Sequence, residues 1–159
     1  MIDKKTLSIW ERQGRIGFIG LGNMGSAIAM RLTKPKIDGL PLMVYDPDSI
    51  KLAPFIERGA IAAKSALELC KSCDIIFACL PTSAVTETVL FGDAGISRDL
   101  KPGQIFVDMT SGDPAISRDQ AARLAKAGVI FVDAPVSGGP VSYTHLRAHE
   151  TKANLVCRL

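Results

Sequence analysis

From Arg15 onward, short apolar runs rich in β-branched residues alternate with stretches whose apolar positions recur at helical spacing. The runs are Ile16–Ile19, Leu42–Tyr45, Ala60–Ala62, Asp74–Cys79, Ile105–Asp108 and Val129–Asp133. They read as strands covered on both faces. Between them lie helix-start signals. Ser65 with Glu68 three residues later forms a capping box, and Asp113 stands before Pro114 at a first helical position. The segment Pro114–Lys126 places Ile116, Ala121, Leu124 and Ala125 in one apolar stripe.

Strands alternating with helices are the sequence form of βαβ units. Because their crossovers are right-handed almost without exception, the six strands most simply wind into one α/β domain. The expected fold is a Rossmann-type doubly wound parallel sheet over residues 15–140. Residues 1–14 stand outside it as an N-terminal extension. From Val141 to Leu159 the character changes, because the stretch has no glycine or proline, holds both histidines and shows no clear element boundary.

Composition narrows the classes further. A chain of 159 residues, 47% of them apolar and 22% charged, has the makings of one globular domain with a core. A formal net charge of +3, with the charges interspersed, does not suggest nucleic acid or an anionic membrane as a partner. Apolar stretches such as Ile75–Leu80 fall far short of the roughly 20 residues a membrane span needs. Met1–Gly14 lacks the apolar core of a secretory signal, so the expected location is cytoplasmic. Of the four cysteines, Cys70 and Cys73 form one CxxC, a pattern open to redox or zinc chemistry. Neither a second pair nor a neighbouring histidine completes it, and the expectation is buried thiols and no metal.

The chemistry concentrates at one loop. Gly20, Gly22 and Gly25 form GxGxxG directly after the first strand and open a helix through Ala27, Ala29 and Leu32. In that position Gly20 permits the tight turn, Gly22 leaves space for a pyrophosphate, and Gly25 lets the helix approach the strand. The anion would rest on a helix N-terminus, where unpaired N–H groups and the helix dipole favour it. Asp46 ends the second strand 26 residues after Gly20, near the spacing at which a carboxylate binds the adenosine ribose hydroxyls. The alternative is a turn role within Asp46-Pro47-Asp48. A carboxylate there would repel a 2′-phosphate, and no arginine follows it immediately to receive one, so NAD is favoured over NADP.

Three motifs resemble the β-hydroxyacid dehydrogenase family, which includes 3-hydroxyisobutyrate dehydrogenase, tartronate semialdehyde reductase and relatives of the 6-phosphogluconate enzyme. They are Phe18-Ile19-Gly20-Leu21-Gly22-Asn23-Met24-Gly25, Cys79-Leu80-Pro81-Thr82-Ser83, and Asp133-Ala134-Pro135-Val136-Ser137-Gly138-Gly139. The first motif also resembles pyrroline-carboxylate reductases, and the third decides against them. The resemblance implies that the Gly20–Gly25 loop and Asp46 hold the cofactor, and that Leu80, Pro81 and Val85 line its nicotinamide side. It places Ser111 near the nicotinamide, with Thr110 beside it. It also implies that Ser137, Gly138 and Gly139 form the nest for the substrate carboxylate.

Oxidising an alcohol also requires a base for the hydroxyl proton. In the family this is a lysine on the long helix that opens a second, all-helical domain, and the chain is expected to end before it, leaving no catalytic residue here. Lys152 and Asn154 do not stand in the family's context, and His145 and His149 lack a third ligand. The tail 141–159 departs from the family's continuation and is expected to be artefactual or disordered. The resulting reading is the cofactor-binding half of an NAD-dependent oxidoreductase acting on a small β-hydroxyacid, inactive by itself, with homo-oligomers expected only for the full-length enzyme. Two alternatives stay open, a non-catalytic NAD-binding module and a fragment of an NADP-dependent imine or 6-phosphogluconate-type reductase. Exposed apolar surface is expected where the helical domain would pack.

Overall fold

The computed structural model describes residues 14–33 and 41–136. In chain order the elements are β1 (Ile16–Ile19), α1 (Asn23–Leu32), β2 (Met43–Tyr45), a 3-10 turn (Ser49–Leu52) running into α2 (Ala53–Ile56), β3 (Ile61–Ala62), α3 (Ala66–Ser72), β4 (Ile75–Ala78), α4 (Ser83–Phe91), a 3-10 turn (Ile96–Arg98), β5 (Ile105–Asp108), α5 (Pro114–Ala125) and β6 (Ile130–Asp133). All six strand expectations therefore hold to within a residue at either end.

The strands form one sheet in the order β3-β2-β1-β4-β5-β6, every pair parallel. β1 lies at the centre. Its C-terminal end and that of β4 sit side by side, Ile19 opposite Ala78, where the strand order reverses direction. A crevice opens there in folds of this type.

Two apolar layers cover the sheet. One gathers Ile19, Leu69, Ile76, Leu90, Ile96, Phe106 and Leu124, and the other gathers Phe18, Ala29, Val44 and Phe55. Adjacent residues of β1, Phe18 and Ile19, serve opposite layers, as strand alternation requires. Gly17 lets α3 come close, since a Cβ there would stand 2.4 Å from the Leu69 side chain. The outer strand β6 is less covered, with Ile130 and Val132 exposed.

The caps follow the sequence with one shift. Ser65 Oγ accepts from Glu68 N–H at 3.1 Å, but the Glu68 carboxylate returns to Lys64 N–H at 2.6 Å rather than to Ser65. Asp113 caps α5 through Ala115 N–H at 2.7 Å, with Pro114 opening the helix. The stripe on α5 needs correction. Its buried line is Ser117, Gln120 and Leu124, while Ala125 is exposed and Ile116 and Ala121 are half-buried. Gln120 can lie inward because its amide donates to Glu87 Oε2 at 3.0 Å, so a polar contact with α4 outweighs apolar periodicity.

Candidate functional site

The glycine loop closes the end of β1 against β2 and β4. Gly20 has φ +91°, a left-handed conformation, and a Cβ there would lie 2.4 Å from the Cys79 carbonyl oxygen. Gly20 N–H donates to Tyr45 C=O at 3.0 Å, and Leu21 N–H donates to Asp46 Oδ2 at 2.7 Å. Asp46 is thereby drawn to the loop, as its spacing suggests. Its other oxygen accepts from Asp48 N–H at 3.0 Å and from Lys51 Nζ at 3.3 Å. The carboxylate is 6% exposed and remains at the surface of the crevice.

The other two glycines have different reasons. At Gly25 an added Cβ would meet Gly20 C=O at 2.0 Å, so the residue sets how closely α1 packs behind the loop. At Gly22 an added Cβ meets no atom of the described residues within 4 Å. No packing demand accounts for this glycine, and the space it leaves opens into the crevice it lines.

Helix ends make the same point. Thr82 caps α4 through Val85 N–H, Ser65 caps α3, and Asp113 caps α5. α1 has Gly22 at its N-cap, no side-chain cap and no acidic residue in its first turn. Its leading N–H groups are therefore left for water or an anion.

The crevice has a volume of about 660 Å³, within the ordinary range of small-molecule sites. It brings together Gly20, Gly22, Asn23, Met24, Gly25, Asp46, Leu80, Pro81 and Val85 of the sequence-derived set. Leu21 contributes its backbone while its side chain is buried in the core. Ser111 stands outside the crevice on the exposed turn after β5, its Oγ 3.5 Å from Val136 C=O. Ser137, Gly138, Gly139, His145, His149 and Lys152 lie outside the described residues. Among the described residues no cluster of three or more His, Cys, Asp or Glu could hold a metal ion.

Some lining residues were missed by sequence reading. Thr88, Val89 and Gly92 face the crevice beside Val85, and their spacing of 3, 4 and 7 residues from it could have exposed the face they share. Lys51 is the more consequential omission. Asp48 caps the 3-10 turn through Ile50 N–H at 3.1 Å, and that turn returns Lys51 to Asp46, five residues back.

Beside the crevice lies a buried polar network. Asp108 at the end of β5 accepts Thr110 N–H at 2.9 Å, and Thr110 Oγ1 accepts Leu80 N–H at 3.1 Å and stands 3.3 Å from Thr86 Oγ1. Burial pushes the Asp108 carboxyl above the usual range. Hydrogen bonds from Thr110 and Thr86 oppose that rise, and the Asp133 carboxylate adds to it. Ser83 Oγ accepts Asp113 N–H at 2.8 Å, tying the same loop to α4.

Burial likewise raises the thiols, Cys70 to about 11 and Cys73 to about 12, and Cys79 rises through burial and the nearby Asp108. Cys70, Cys73 and Cys79 are free, and the CxxC pair is buried. Among the described residues no helix is long and apolar enough to cross a membrane.

Comparison with known proteins agrees with this geometry. The chain is 41% identical over 126 residues to mitochondrial 3-hydroxyisobutyrate dehydrogenase of Mus musculus, a match covering 78% of this chain and 36% of that protein. The structure of Mycobacterium tuberculosis 3-hydroxyisobutyrate dehydrogenase with L-serine superposes with a TM-score of 0.74 at 26% identity, over 84% of this chain and 44% of that one. An imine reductase from Myxococcus stipitatus in complex with NADP+ gives 0.72 at 26% identity, over 80% and 43%. The chain thus spans little more than a third of the mouse enzyme and under half of the two solved chains. Residues 15–145 match the NAD binding domain of 6-phosphogluconate dehydrogenase, and the chain belongs to that family of NAD(P)-binding domains, among whose members are 3-hydroxyisobutyrate dehydrogenases.

Proposed function

We propose that this chain is the cofactor-binding part of an NAD-dependent dehydrogenase for a small β-hydroxyacid. The observation that carries the reading is the closure of the glycine loop onto Asp46 by the 2.7 Å Leu21 N–H contact, which builds one crevice from the ends of β1, β2 and β4. The residues fit a dinucleotide. Gly22 leaves room where a side chain would intrude, the uncapped start of α1 offers N–H donors to a pyrophosphate, and Asp46 keeps acceptor capacity for ribose hydroxyls. Leu80, Pro81 and Val85 give the other end apolar walls. When bound, the nicotinamide supplies hydride transfer.

The substrate side is carried by Ser137, Gly138 and Gly139, whose hydroxyl and successive N–H groups suit a carboxylate. The likeness to enzymes named for 3-hydroxyisobutyrate supports that substrate class. In this reading the hydroxyl proton is handled by a group outside the described residues.

One observation favours a second reading. Lys51 brings a cation to the ribose end that could receive a 2′-phosphate, as an NADP-dependent imine reductase fragment would require. Asp46 and Asp48 both face that lysine, at 3.3 and 3.9 Å, so the local balance remains negative and NAD is preferred. Calorimetric titration with NAD+ and NADP+ tests both. The wild type should prefer NAD+, and Asp46→Ala should weaken NAD+ about tenfold or more, as expected for a hydrogen bond to a charged group. Lys51→Ala should weaken NADP+ more than NAD+. Tighter binding of NADP+ by the wild type, or NAD+ binding indifferent to Asp46→Ala, would overturn the assignment.

A further inference from the structure

Asp108, Thr110 and Thr86 are all within a few percent of complete burial, at 2%, 4% and 0% exposure, yet none belongs to an apolar layer. A carboxylate placed there loses hydration and is kept by the donors it collects. The contacts run in one direction. Asp108 fixes Thr110 through the N–H bond, and Thr110, by accepting Leu80 N–H, fixes the first residue of the Leu80-Pro81 turn. Because Thr110 Oγ1 accepts from Leu80, its own proton is free to point toward Asp108 or Thr86.

The same loop is clamped further along. Gly112 lies so close to Ser83 that an added Cβ would overlap the Ser83 hydroxyl, and Ser83 Oγ accepts Asp113 N–H. The turn after β4, the loop bearing Ser111 and the start of α4 are therefore one polar assembly at the C-terminal edge of the sheet. Its inner members touch no crevice surface. Its outer members, Leu80 and Pro81, are crevice walls.

We propose that Asp108 is a positioning residue, which through Thr110 holds the Leu80-Pro81 turn and the Ser111 loop in the register that receives the nicotinamide end of the dinucleotide. The inference rests on the dinucleotide reading above and deepens it. A carboxylate serving only to end β5 would affect stability and nothing that distinguishes one end of the ligand from the other.

The test uses two ligands sharing the adenosine diphosphate half, NADH and ADP-ribose, titrated against the 159-residue chain. Thr110→Val removes the acceptor for Leu80 N–H at nearly constant volume, Thr110→Ser restores it, and Asp108→Asn keeps size while removing charge. Thr110→Val and Asp108→Asn should weaken NADH by about threefold to tenfold, the effect of one misplaced hydrogen-bonded turn. ADP-ribose affinity should stay within about twofold, and Thr110→Ser should recover NADH binding. Unfolding midpoints on the same samples show which variants are folded, and Asp108→Asn stands in should Thr110→Val unfold. A parallel loss of both ligands in a folded variant, no loss of either, or failure of Thr110→Ser to restore NADH overturns the proposal. Failure of the wild type to bind ADP-ribose would instead overturn the dinucleotide reading, and this proposal with it.

Discussion

Two glycines of one loop should respond to the same substitution in opposite ways. In Gly25→Ala, the new Cβ would stand 2.0 Å from Gly20 C=O and 3.3 Å from the Cys79 Cβ, so α1 must retreat by more than 1 Å from the turn it packs on. Overpacking of this kind costs about 1–3 kcal/mol or more, and backbone contact places it at the upper end. The helix propensity of alanine returns about 1 kcal/mol. The net loss is on the order of 2 kcal/mol, which lowers the unfolding midpoint of a domain this size by several degrees. In Gly22→Ala the Cβ meets nothing within 4 Å, and φ −66°, ψ −174° is open to alanine. The poorer N-cap costs roughly 1 kcal/mol, and the reduced freedom of the unfolded chain offsets about 0.4–1 kcal/mol. Stability should therefore barely change. On the proposed function, dinucleotide binding should fall at least tenfold, because the methyl occupies the space assigned there to the pyrophosphate. Urea denaturation gives the first quantity and calorimetric titration of NAD+ the second. A Gly22→Ala chain that binds NAD+ like the wild type, or that loses as much stability as Gly25→Ala, would falsify the division of roles.

Three further outcomes follow from the geometry. Gln104 donates to the carbonyls of Cys70 and Cys73 at 2.7 and 2.6 Å from a buried position, so Gln104→Leu should destabilise by about 1–3 kcal/mol in urea denaturation, the cost of stranding buried acceptors. Cys70 and Cys73, raised to about 11 and 12, should resist alkylation at neutral pH until the chain is unfolded, and rapid labelling of the native protein would contradict their burial. Asp108 has a folded pKa above its unfolded value, so its contribution is fully present below about pH 4 and is lost as pH rises through the folded value. Relative to Asp108→Asn, the wild type should therefore lose stability from about pH 4 upward and then level off. Denaturation midpoints of the two proteins across that range should diverge in that sense, and the opposite slope would show that the carboxylate is favoured, not penalised, by its site.

Most of the sheet is legible in the chain because its strands are continuous apolar runs, a pattern that packing on both faces demands. The glycine loop is legible for a local reason: Gly20 and Gly25 answer to distances within the loop and to Cys79, next to the adjoining strand end. Asp46 is legible through its spacing alone. Other parts depend on contacts that no spacing encodes. Gln120 enters the core on the strength of Glu87, 33 residues earlier, which no helical periodicity could show. The Asp108–Thr110–Leu80 chain joins two strand ends 30 residues apart, and in the sequence Thr110 reads as an ordinary loop hydroxyl. Lys51 is not legible beside Asp46 because a 3-10 turn, not adjacency in sequence, delivers it there from five residues further along.

The central place of β1 also sets a timetable for synthesis. β1 leaves the ribosome first, its partner β2 follows, and its other partner β4 begins 59 residues after Ile16, at Ile75. At about 5–20 residues per second, one edge of the innermost strand waits roughly 3–12 s for its mate. During that interval Phe18 and Ile19 belong to a half-built sheet with an open edge, the condition under which strands pair with the wrong neighbour. The nascent chain is therefore exposed to mispairing before Asp74 emerges, and the short β1 of four residues keeps that exposed edge small.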